Sequence, residues 1–350
     1  MVVTNANRQG DTYQVELINE AGSVVASTTA KLPLLKPNQT ISPPLVSVSD
    51  HKVYYLDGDT DIRSLDAAGQ TALVKSIAAG GDHTLAFSVS PGDADMAVAL
   101  ISQAADGTKS SSTGYVEALD STARHVVLWN NTGSDALRWP VGWHRTDVVD
   151  AIIGCNGGGY ADGPGYGGSA ACSYHVVDPS SGKRVATVCE GPSSPPTGKW
   201  ANYSPHGLPT RVGVACFEGE GDQFSCNATN TWSRADWDGS EQDFLTSTIS
   251  EPACSGGGVP VFNCSVSDDG TVMACTDNTS QATTLLLSNG TRQSLGRKYN
   301  VLGWIDGNHF LVEVDASTLG VVTSPGGTLA RVSLDHADQV GMISSLPGSL

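Results

Sequence analysis

Eight cysteines, Cys155, Cys172, Cys189, Cys216, Cys226, Cys254, Cys264 and Cys275, are the residues best suited to covalent chemistry. They include no CxxC pair, and no histidine stands at zinc-finger spacing, so they offer disulfides rather than zinc ligation. Disulfides persist in oxidising compartments, and this predicts an extracellular or cell-surface protein. The segment MVVTNANRQG lacks the apolar stretch of a signal peptide, so export implies a leader or anchor absent from this chain. With Asp269-Gly270 read as a two-residue turn, Cys264 and Cys275 fall opposite each other, at a spacing that a disulfide bridges.

Carboxylates supply the second candidate chemistry. Asp57, Asp59 and Asp61 in LDGDTDIRSLD alternate as the oxygen ligands of a calcium loop begin to do, and Ca2+ is the cofactor they would suit. The EF-hand spacing is incomplete, and an Asp-Gly hairpin turn accounts for the same residues. The net charge of −17 disfavours nucleic acid, which is held mainly by Lys and Arg, and favours cationic partners or divalent metals. The same acidity also keeps an exported protein soluble. No run of 18 apolar residues is present to span a membrane. Sequons at Asn38, Asn130, Asn202, Asn227, Asn263, Asn278 and Asn289 are candidate glycosylation sites.

The elements that must position these groups are strands. Helical periodicity is nearly absent, and short β-rich runs such as KVYYLDG, DMAVALIS, RVGVACF and HFLVEV alternate with Gly, Asp, Asn, Ser and Pro. The runs group in fours over residues 46–77, 82–130, 136–190, 198–248, 259–296 and 299–334. That period is the one expected of β-propeller blades. One leftover strand at 338–347 and up to three within 1–31 make a further blade, which ties the two ends together and removes a free edge. The expectation is therefore an all-β, seven-bladed propeller forming one domain over 1–350, with six blades plus an N-terminal hairpin module as the rival.

The inner hairpins FSVSPGDADMAVAL, NYSPHGLPTRVGVAC and NCSVSDDGTVMAC resemble the TolB-like or PD40 class of WD40-like propeller repeats, whose inner turn reads close to S-P-D-G. Ser267-Asp268-Asp269-Gly270 comes nearest, with Asp in the second position. The resemblance implies partner binding or an accessory role beside a hydrolase, and it carries over no catalytic residue.

This frame places the remaining candidates. Cys216 and Cys226, and Cys155 and Cys172, flank joints between second and third strands, and Cys189 and Cys254 leave outer strands of successive blades, so each makes a pair. Asp82, His83, Arg138, Lys199 and Tyr299 start inner strands, where the mouth of a central channel binds ligands. His51, His144, His206 and His309 lie near the turns after inner strands, on the opposite face. Trp129, Trp139, Trp143, Trp200, Trp232, Trp237 and Trp304 suit blade cores better than sugar stacking. No GxSxG elbow is present, no helix follows the glycine-rich NGGGYADGPGYGG to hold a phosphate, and no carboxylate pair can be assigned to glycoside hydrolysis. The leading expectation is a non-enzymatic binding module for a protein or glycan. A metal-dependent hydrolase with its ion in the channel and a self-associating structural subunit are the alternatives.

Overall fold

A computed structural model describes residues 2–6, 11–34, 36, 43–103, 110–120, 124–134, 137–153, 171–188, 208–212, 216–218, 224–226, 228–249, 262–277, 282–297, 299–315, 318–324, 327–332 and 340–344. Among them every regular element is a β-strand. The first four-stranded sheet holds β4 (Val46–Val48), β5 (Val53–Asp57), β6 (Asp61–Leu65) and β7 (Thr71–Ser76). The second holds β8 (Thr84–Val89), β9 (Asp95–Gln103), β10 (Ser110–Ala118) and β11 (His125–Ser134). The third holds β12 (Leu137–His144), β13 (Asp147–Ile153), β14 (Ala171–Val177) and β15 (Arg184–Val188).

The fourth sheet has three described strands, β16 (Leu208–Val212), β19 (Ala228–Ala235) and β20 (Glu241–Ile249), beside a ladder of β17 (Cys216–Glu218) and β18 (Phe224–Cys226). The fifth runs from β21 (Phe262–Val266) through β22 (Val272–Asp277) and β23 (Ala282–Leu287) to β24 (Arg292–Ser294). The sixth runs from β25 (Asn300–Trp304) through β26 (His309–Asp315) and β27 (Thr318–Thr323) to β28 (Thr328–Val332). Finally β1 (Val2–Ala6), β2 (Thr12–Ile18) and β3 (Val24–Lys31) join the last strand, β29 (Val340–Ser344), in the order β29-β1-β2-β3.

Each sheet is an antiparallel meander. First strands touch from sheet to sheet: β4 meets β8, β8 meets β12, β21 meets β25, and β29 meets both β25 and β4. Radial four-stranded sheets whose first strands surround an axis make a β-propeller. The N-terminal strands belong to the sheet of the final strand, with Val3 opposite Ile343.

Burial follows that geometry. In β8, Leu85 to Val89 are all buried, because a blade near the axis is covered on both faces. In the outer strand β7 no residue is buried. The second and third blades interlock by size. The second presents Ala86, Ala97, Ala99 and Gly114, and the third answers with Trp143. Trp129 of β11 folds over Gly114, where an added Cβ would stand 2.2 Å from the indole ring, so only glycine fits. Trp143 Nε1 donates to the Ser88 carbonyl at 3.1 Å, and Trp304 Nε1 of the sixth blade donates to the Ser265 carbonyl of the fifth at 3.0 Å. Each indole thereby buries its ring without stranding its N–H.

Two strand assignments differ from the sequence reading. RVGVACF is not one strand: β16 ends at Val212, and β17 pairs with β18 rather than with β19. The pairing Val212↔Thr231 gives way to Cys216↔Cys226, one residue out of step, so the hairpin shifts register beyond the sheet. Also, β10 and β11 extend beyond the apolar runs GYVEAL and RHVVLW, through Ser110–Thr113, paired with both β9 and β11, and through Asn130–Ser134, paired with β10.

Candidate functional site

The turns after the inner strands gather on one face of the propeller, and short side chains fix them. Ser49 Oγ accepts from the backbone N–H groups of His51 and Lys52 at 3.2 and 3.0 Å. Ser90 Oγ accepts from those of Ala94 and Asp95 at 3.2 and 2.9 Å. Ser267 Oγ accepts from Val272 N–H at 3.0 Å and donates to Asp269 Oδ1 at 2.6 Å. In the sixth blade a carboxylate takes that part: Asp306 Oδ1 accepts from the N–H groups of Asn308 and His309 at 2.7 and 2.8 Å. Side chains that bind their own turn in this way are the known chemistry of Ser and Asp at such positions.

Neighbouring turns are also tied together. Asp50 N–H donates to the Pro91 carbonyl at 3.0 Å, Tyr54 OH to Asp93 Oδ1 at 2.9 Å, and Arg234 Nη1 to the Gly270 carbonyl at 2.7 Å. Among the acids of these turns, Asp93, Asp269 and Asp306 have carboxylates held by hydrogen bonds, and Asp268 lies within reach of the charges of Asp306 and Asp269. Burial first, and then the charges of Asp306 and Asp269, push Asp268 up to about 7. Burial also pushes Asp269 and Asp306 up, but hydrogen bonds from Ser267, Thr271, Asn308 and His309 outweigh it and hold both below their usual range. His309 Nδ1 lies 2.9 Å from Asp306 Oδ2.

A second polar group lies inside the seam between the second and third blades. Arg138 Nε and Nη2 reach Asp150 Oδ2 at 3.2 and 2.8 Å, and the guanidinium carbon stands 4.4 Å from the centre of the Trp129 ring. His175 pairs with Asp150 across β13 and β14, and its Nε2 lies 3.2 Å from Arg184 Nη1. Burial, then the nearby Arg138 and Arg184 charges, push His175 down to about 4, so the ring is neutral at ordinary pH.

The candidates read from sequence are dispersed. Asp82 is exposed and His83 half-buried in the turn before β8, with His83 Nδ1 enclosed and without a hydrogen-bond partner among the described residues. Arg138 faces inward to Asp150, with 14% of its side chain exposed. Tyr299, expected at the channel mouth, is 4% exposed and lies in the core of the fifth and sixth blades. Its backbone is clamped there by the Thr283 hydroxyl, at 2.8 Å from the N–H and 2.9 Å from the carbonyl. Lys199 lies outside the described residues.

Asp57, Asp59 and Asp61, the residues of the calcium expectation, each accept a hydrogen bond from another part of the chain. Asp57 Oδ1 accepts from Lys31 N–H at 2.8 Å, Asp59 Oδ1 from Leu34 N–H at 2.9 Å, and Asp61 Oδ1 from Ser76 Oγ at 2.7 Å. Asp57 and Asp59 fasten the end of β3 and the segment after it onto the first blade, where Lys36 adds an ion pair to Asp59 at 3.3 Å, and Asp61 braces β6 against β7 within that blade. Among the described residues no group of three or more His, Cys, Asp or Glu stands as a metal centre.

Cys264 and Cys275 form a disulfide between β21 and β22, with Cα atoms 4.1 Å apart. Cys216 and Cys226 are register partners, while Cys155, Cys189 and Cys254 lie outside the described residues. Asn130 is exposed on β11, Asn289 is exposed in the turn before β24, and Asn263 sits in β21. Asn38, Asn202, Asn227 and Asn278 lie outside the described residues, as does His206. The sequence reading missed Asp150, His175, Asp268 and Asp306; its one available signal was the charge inside the apolar run VVDAII.

No protein-family model matches the chain, and no curated protein matches it. Solved structures similar to it include an oligogalacturonate lyase in complex with manganese, at 12% identity and TM-score 0.48, covering 94% of this chain and 89% of that one. The oligogalacturonate lyase of Vibrio parahaemolyticus matches at 10% identity and TM-score 0.46, covering 94% and 90%. Kuenenia stuttgartiensis hydrazine synthase matches at 11% identity and TM-score 0.49, covering 93% and 92%. The propeller assignment rests on the sheets of this chain.

Proposed function

We propose that this propeller is an extracellular, non-enzymatic binding module that takes a protein or glycan ligand on the face of its inner turns. The observation that carries the reading is the set of held carboxylates on that face. A surface ordered before contact loses less freedom on binding. Its carboxylates favour a ligand carrying positive charge, and such complementarity governs association rate and partner choice. Asp268 is raised first by burial and then by the charges of Asp306 and Asp269, and that second contribution is a local negative potential that a cationic group would relieve.

The same proposal takes the ring as seven-bladed and of TolB-like kind. Export is supported by the Cys264–Cys275 bridge, since such bonds persist outside reducing compartments. Directly opposed cysteines in a ladder support a second bridge, Cys216–Cys226. Cys155–Cys172 and Cys189–Cys254 complete that framework.

The test is binding of lysine-rich, acidic and neutral peptide and glycan sets to the purified chain across a salt series. Cationic ligands should be selected at low salt, and Asp269→Asn with Asp306→Asn should weaken them by about tenfold. Selection of neutral or acidic ligands, indifferent to salt, would overturn the reading.

A further inference from the structure

Asp150 stands in the middle of β13 on the surface of the third blade that meets the second, and no part of its side chain is exposed. Both Arg138 nitrogens bond the same oxygen, Oδ2. The other oxygen, Oδ1, is buried with no hydrogen-bond partner among the described residues. The facing residues of the second blade, Ala86, Ala97, Ala99, Gly114 and Trp129, are all buried and offer no titrating group. Among the described residues, the charged or titratable groups beside Asp150 are Arg138 from β12, His175 from β14 and, next to His175, Arg184 from β15. Glu117 of the second blade turns the other way, to Lys75 of the first at 3.1 Å.

One guanidinium on one oxygen leaves the other oxygen of a fully buried carboxylate without water or a hydrogen bond, and an ion pair so placed does not recover the cost of leaving water. We propose that Asp150 is a proton-binding site built into the seam between the second and third blades, whose occupancy tightens that seam and whose release loosens it. Burial pushes the carboxyl up to about 7, against the opposing pull of Arg138. An unfolded aspartate releases its proton near pH 4, so the folded chain holds a proton that the unfolded chain has lost. The stabilisation is therefore complete below about pH 4 and is lost as pH rises to about 7, at close to tenfold in the folding equilibrium per pH unit.

Asp268 titrates in the same range, so the comparison is made in an Asp268→Asn background. Equilibrium unfolding is followed from about pH 4 to 8, the span that brackets both pKa values, with and without Asp150→Asn. The parent should lose stability relative to Asp150→Asn across that span, and parallel curves would overturn the proposal. Carbon-13 NMR of labelled aspartate in the Asp268→Asn protein needs no folded Asp150 variant. One carboxyl should titrate near 7, and the absence of any titration above about 5 would equally overturn it.

Discussion

In the second blade the inner turn Ser90-Pro91-Gly92-Asp93 places Asp93 in the left-handed region at φ 59°, whereas in the fifth Ser267-Asp268-Asp269-Gly270 places Gly270 there at φ 70°. Both turns hang from a serine hydroxyl, and both inner strands receive the tryptophan N–H of the following blade. The fifth turn meets the left-handed requirement with glycine, which adopts it freely. It then binds Asp269 back to Ser267 and Thr271 and bridges the hairpin with a disulfide. The second turn uses an aspartate at a steric cost of about 1–2 kcal/mol, and Asp93 spends its carboxylate on Tyr54 of the first blade. One hairpin is braced within itself; the other is braced by its neighbour.

The largest expected break of this contrast comes from replacing Cys264 and Cys275 with alanine, at about 2–4 kcal/mol in chemical unfolding. The second hairpin, without a bridge, should be indifferent to reductant, while reductant should cost the parent more than the double variant loses, because the other proposed bridges open as well; a loss no greater than that of the double variant would refute those bridges. Next comes the serine anchor. Ser267→Ala should cost about 1–3 kcal/mol, because it strands Val272 N–H and removes a donor from Asp269. Ser90→Ala should cost less than Ser267→Ala, since Ser90 only accepts from its turn. Equal losses in paired unfolding curves would refute the distinction. The smallest effect is Tyr54→Phe, at about 0.5–1.5 kcal/mol. It should vanish in an Asp93→Gly background, which a double-mutant cycle measures directly.

The sequence made the alternating, apolar part of the propeller legible. VYYLD, MAVAL and FLVEV announce strands because their burial is repetitive. Ser110–Thr113 and Asn130–Ser134 did not, since Ser, Thr and Asn favour turns locally and only their partners across the ladder hold them extended. The Cys264–Cys275 pair was legible because a tight hairpin makes a distant pairing local. Asp150 was not, because its meaning comes from Arg138 and the bare Ala-Gly face of another blade. Arg138 itself was selected for its place at the start of an inner strand, yet it turns toward that buried acid.

The sheet that unites β1 with β29 has a kinetic consequence. Its pairing Val2↔Ser344 spans almost the whole chain, so the entropy of closing so long a loop must be met before that contact gives anything back. During synthesis β1 to β3 emerge well before β29, and the edge of β1 stays unpaired until β29 arrives. That interval is when the nascent chain is most open to exchanging a strand with another copy.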